Sequence, residues 1–159
     1  MRFCEWLEHT ALITAINNSL VLATIVEVLH YFSLFLLVGS ILIVDLRLLG
    51  LAARRRNAAE VADEMFSLMW AGLVLNFATG FLLFAGDATT FYGNRVFHIK
   101  LAVILLAVIV GVIVQWGAAR WGRLPAVPSG AKLLAFVSLA LWIASILAAV
   151  EVPSLTSVG

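Results

Sequence analysis

Apolar residues along this chain gather into four long runs, separated by short polar segments. Leu20 to Val44 carries only Glu27 and His30 as charged or imidazole groups, and Met65 to Gly86 carries none. Ile99 to Ala119 opens on Lys100 and is uncharged beyond it, and Leu133 to Val150 stays uncharged until Glu151. A span of hydrocarbon ~30 Å thick takes about 20 apolar residues in a helix. Lipid offers no partner to an exposed amide, so each run is predicted to be helical. No segment alternates apolar and polar positions as a membrane barrel would. The expected fold is an all-α integral membrane four-helix bundle, with the transmembrane domain over 19–152 and a tail over 153–159.

Residues 1–18 follow another pattern. Glu5, Glu8 and His9 interrupt them, so they lack the continuous apolar core of a signal peptide. Phe3, Trp6, Leu7, Thr10, Ala11, Ile13 and Thr14 fall mostly on one helical face. That predicts a short amphipathic helix lying in the outer interface, ended by Asn17, Asn18 and Ser19.

The charges set an orientation. Arg47, Arg54, Arg55, Arg56, Arg120, Arg123 and Lys132 are seven of the ten basic residues and lie in the first and third connections. Basic loops stay in the cytoplasm, so both termini are expected outside, in a bacterial cytoplasmic (inner) membrane. Asp45 and Arg47 close the first span at the inner surface; two apart, they point to separate partners.

Composition narrows the class. Apolar residues of the set AVILMFWYC reach 64% and charged residues 12%, against the roughly 45–50% and 25% of soluble domains. A soluble globular fold and intrinsic disorder are both excluded. A net charge of +1 offers no field for nucleic acid. The lone Cys4 can form no internal disulfide.

Helices in lipid meet through small and hydrogen-bonding residues. The second span offers Gly72, Asn76, Thr79 and Gly80. The third offers Lys100, Ile104, Ala107, Gly111, Gln115 and Ala118, and the fourth Ser138, Trp142, Ser145 and Ala149. In the first, the expected inward stripe is Ala23, Glu27, His30 and Leu34, with Gly39 and Ser40 deeper. Asn76 and Gln115 are placed to bond across the seam or simply to pack in it.

Glu27 and His30 are the groups with chemistry. An ionisable side chain inside a span costs some +2.5 to +3.5 kcal/mol at the centre and generally faces the bundle. Neutral imidazole is the favoured axial ligand of haem iron in apolar surroundings, and Glu27 would orient the ring or bond Tyr31. The alternative is a Glu27–His30 contact with no cofactor. His98 opens the third span as a candidate second ligand, offset from His30 by ~6–10 Å in depth. Lys100 would pair with a haem propionate, with Glu27 or with a lipid phosphate.

Glu27 and His30, then Gly39 and Asp45-Leu46-Arg47-Leu48-Leu49-Gly50, then Thr79-Gly80 with Leu83-Phe84, then Phe97-His98-Ile99-Lys100-Leu101 resemble an uncharacterised bacterial family of small four-helix membrane proteins. More distantly, a first-helix histidine with Phe-x-x-Lys opening the third helix is similar to membrane-type protoporphyrinogen oxidases and copper-resistance D proteins. That resemblance implies haem b at His30 and Lys100, with Arg47 near an arginine of those proteins; Gln115 stands where a further histidine is expected. The expected function is a haem-b-associated membrane protein that transfers electrons or supports a redox complex, with the lipid bilayer, a quinone, a larger membrane redox complex or a second copy as partners. The alternative is a non-catalytic accessory or assembly subunit of a larger membrane complex.

Overall fold

The computed structural model describes the backbone of residues 2–156 and the side chains as far as residue 147. Its elements are α1 (Arg2–Glu8), α2 (Ala11–Asn17), α3 (Leu20–Leu48), α4 (Ala58–Gly86), α5 (Ala88–Gly93), α6 (Arg95–Trp121) and α7 (Ser129–Thr156), with no strand among the described residues. The long helices α3, α4, α6 and α7 are each long and apolar enough to cross a membrane. The chain is thus a multi-pass membrane protein. α7 runs on into the segment expected as a tail, and residues 157–159 of that tail lie outside the described residues.

Local chemistry explains the helix ends. The side chains of Ser19, Asn57 and Asn94 cap α3, α4 and α6 by accepting from backbone amides two or three residues ahead. α3 stops at Gly50, whose φ of 76° takes the left-handed conformation while the Leu51 amide reaches back to the Leu46 carbonyl at 2.9 Å.

The long helices run up and down. Gly72 of α4 meets Leu37 and Ser33 of α3, and Gly80 meets His30, an antiparallel match. Gln115 of α6 donates to the Ala62 carbonyl of α4. Gly111 lies against Ile41 of α3 and Trp142 of α7. Gly122 touches Asn57 and Ala59, so the two basic connections share one end of the bundle. The buried core at that end joins Val44, Leu48, Val61, Val114, Ala118 and Ala135.

Three of the four expected inward stripes are found. Gly72 and Thr79 are buried with Asn76 and Gly80 half-buried, Ala107, Gly111, Gln115 and Ala118 are buried, and so are Ser138, Trp142 and Ser145. The Ala149 side chain lies outside the described residues. The first-span stripe differs: α3 buries Val26, Ser33, Leu37, Ser40, Ile41 and Val44, leaving His30 at the seam's edge and Glu27 exposed. Ser33 and Leu37, not the ionisable pair, sit where Gly72 brings α4 closest to α3.

The N-terminal segment forms two short helices that break at His9 and Thr10. Cys4, Leu7, Ile13 and Ile16 pack against Val26, Ala85 and Ala88, while Phe3 and Trp6 are exposed. Of the expected face, Leu7 and Ile13 are buried against the bundle, and Phe3 and Trp6 stay exposed. Asn17 donates to the Gly86 carbonyl at 2.9 Å. Glu8 accepts from the Thr89 amide at 2.7 Å and from the Thr89 hydroxyl.

Two predictions follow from this packing. A Cβ on Gly72 would lie 2.6 Å from the Leu37 backbone nitrogen, whereas one on Gly39 would meet nothing within 4 Å. Gly72→Ala is expected to lower thermal stability in detergent, by about 1–3 kcal/mol, with Gly39→Ala close to wild type. Hydrogen bonds from Thr89 hold the Glu8 carboxyl below its ordinary value. The stability from this contact is therefore full above that ordinary value and lost as pH falls through the lowered one. Hydrogen exchange at the Thr89 amide should accelerate over that acidic range, and in Glu8→Gln it should already be faster at neutral pH.

Candidate functional site

The polar cluster between α3 and α4 is built around His30. Ser33 Oγ donates to the His30 carbonyl at 2.8 Å, its own helix's previous turn. Asn76 Nδ2 lies 3.1 Å from that carbonyl, 3.2 Å from Ser33 Oγ and 3.4 Å from His30 Nδ1. Thr79 Oγ1 donates to the Leu75 carbonyl at 2.7 Å and sits 3.0 Å from His30 Nδ1. Gly80 makes room for the ring: a Cβ there would lie 3.1 Å from His30 Cε1.

Counting hydrogens assigns the tautomer. Ser33 has one and gives it to the His30 carbonyl. Asn76 has two, and its two shorter contacts, to the carbonyl and to Ser33 Oγ, take both. Thr79 has one, spent on Leu75, so its oxygen is left to accept. The proton between Thr79 and the ring therefore belongs to Nδ1. Nε2 then keeps a lone pair, has no partner among the described residues, and is not among their buried unpartnered atoms. An imidazole with one nitrogen anchored and the other free is the arrangement of a metal-ligating histidine.

Among the expected site residues, Lys100 is half-buried in the second turn of α6. Glu27 is exposed and makes no hydrogen bond or ion pair among the described residues, so Thr79, not Glu27, orients the ring. Three residues along a helix are about 60° apart around it, enough to leave one in the seam and the other outside. His98 is exposed, its Nδ1 2.8 Å from the Asn94 carbonyl and its ring edge-on to Tyr92. No group of three or more His, Cys, Asp or Glu able to hold a metal ion occurs among the described residues.

Asp45 and Arg47 part company as expected, though not to the expected places. Arg47 Nε donates to the Arg56 carbonyl at 2.6 Å. Asp45 is 0% exposed, inside the bundle instead of at its surface.

Fold and site together define a helical multi-pass membrane protein with an ordered histidine at a helix–helix seam. The model of a family of unknown function, DUF6644, matches residues 3–152, and the chain belongs to that family. No curated protein and no solved structure matches it. The expected membership of an uncharacterised family stands; the likeness to protoporphyrinogen oxidases and copper-resistance D proteins finds no support in these comparisons.

Thr79→Val keeps the shape and removes the acceptor for Nδ1. It is expected to cost about 1–2 kcal/mol of stability and to shift the His30 proton toward Nε2, read from the imidazole nitrogen resonances. Gly80→Ala should displace the ring and alter the same resonances with Thr79 intact.

Proposed function

We propose that this chain is a haem-b-associated protein of the bacterial cytoplasmic membrane, working in electron transfer or in support of a redox complex. The observation that carries the reading is the free Nε2 lone pair of a ring whose other nitrogen is fixed by Thr79. Lys100, a half-buried cation in the second turn of α6, suits a propionate carboxylate. His98, occupied by its own helix carbonyl, supports at most a lesser role. Haem, when bound, supplies one-electron chemistry. The chain's part is to present Nε2, keep Nδ1 protonated through Thr79, and neutralise an anionic edge with Lys100. In this reading the two basic connections face the cytoplasm and His30 lies toward the outer half of the membrane.

A second reading, an accessory subunit docked on a larger membrane complex, is favoured by one observation. Glu27 is exposed on α3 beside Val28 and Tyr31, which are also exposed. A carboxylate facing lipid is costly, and contact with a polar group of another membrane chain would remove that cost.

The test is the visible spectrum of the protein purified in detergent with a haem supply. A Soret band is expected, lost in His30→Ala, weakened in Lys100→Ala and retained in His98→Ala. No band, or a band unchanged in His30→Ala, rejects the haem reading. Stoichiometric co-purification of a membrane partner with colourless protein, reduced in Glu27→Leu, supports the second.

A further inference from the structure

Asp45 sits fifteen residues beyond His30 on α3, about 22 Å along the helix axis, and belongs to a separate environment. Its side chain is 0% exposed, and neither carboxylate oxygen has a hydrogen-bond partner among the described residues. Beside it lies Ser138 of α7, also 0% exposed, whose hydroxyl is equally unpartnered. Three oxygens from two helices thus meet in the interior, close together and outside mutual hydrogen-bond geometry. Buried polar atoms are almost always satisfied, so three orphans at one point mark a place where something else belongs.

Charge narrows what that is. Arg47, the nearest cation in sequence, is turned to the Arg56 carbonyl. Glu60, Asp63 and Glu64 of α4, Arg120 of α6 and Lys132 of α7 are all exposed. The surroundings are otherwise apolar: Val44 and Leu48 flank Asp45 along α3, and Ala135 precedes Ser138 by one turn on α7. A lone ionised carboxylate in such a setting is strongly disfavoured without a compensating positive charge. A divalent ion would need several acidic or carbonyl oxygens, and this site holds one carboxylate.

We propose that the Asp45 carboxylate and the Ser138 hydroxyl form a buried site for one small monovalent cation, a proton or a sodium ion. The cation cancels the charge that the bundle cannot otherwise carry and ties α3 to α7 near the end that bears the basic connections. As a proton it resides on a carboxylate oxygen and gives it a hydrogen that the Ser138 hydroxyl, beside it, accepts after a small side-chain rotation. As sodium it draws on the same three oxygens. The site is independent of the haem reading, since it shares no residue with the His30 cluster.

Two measurements on the full-length chain in detergent distinguish the sources. Infrared difference spectra between wild type and Asp45→Asn, taken at neutral pH in choline chloride, are expected to contain the carbonyl stretch of a protonated carboxylic acid if the cation is a proton. Thermal melts in sodium chloride and in choline chloride are expected to differ for wild type and coincide for Asp45→Asn if it is sodium. Should Asp45→Asn fail to fold, Ser138→Ala keeps the acid. It is expected to shift the acid band to that of a weaker hydrogen bond, or to shrink the sodium effect. A wild-type chain with no acid band and no sodium response, or with signals unchanged in both variants, overturns the proposal.

Discussion

At Gly72 the backbone of α4 comes against that of α3 so closely that a single added carbon would lie 2.6 Å from the Leu37 nitrogen. In a bilayer the tails are as apolar as any leucine, so helices associate where backbones can approach and polar groups can meet. This contact sets the register of the pair, and the register puts Asn76 and Thr79 opposite Ser33 and His30 two turns along. Glycine is required at Gly72 for closeness, since neither helix departs from regular geometry there.

The His30 cluster inherits its order from that register. Each hydroxyl or amide hydrogen in it has one destination, and the last unassigned proton falls on Nδ1. Such a closed network orients a ring more firmly than an ion pair with Glu27 would. A carboxylate shared with lipid or a neighbouring chain is free to rotate, whereas Thr79 is itself tied to the Leu75 carbonyl. The functional reading therefore rests on uncharged groups that a search for titratable residues passes over.

Polar groups are spread unevenly through the bundle. Around His30 they satisfy one another; around Asp45 and Ser138 they do not, and the indole nitrogens of Trp70 and Trp142 are likewise buried without partners. Gln115, by contrast, crosses to the Ala62 carbonyl and joins α6 to α4. The groups around His30 thus form a hydrogen-bonded network, while Asp45 and Ser138 keep oxygens in reserve.

Four helices, their lengths, the breaks between them and the inward faces of α4 and α6 were all legible in the pattern of apolar, small and charged positions. These features follow from local rules: hydrocarbon thickness fixes span length, and the small residues that permit approach are visible one helix at a time. The inward face of α3 was legible only in part: Ser40 was expected inside, but Glu27 and His30 weigh more in a pattern than Ser33 while the helix turns by contact with its neighbours. The N-terminal helices bury Cys4 and Ile16 for the same reason: what they pack against, Val26 and Ala85, lies far along the chain. By itself the sequence determined that the chain crosses lipid as a helical bundle and that His30 lies within it. Only the tertiary structure decided which nitrogen of that ring is free and that Asp45 is enclosed, since both depend on what a second helix brings to the contact.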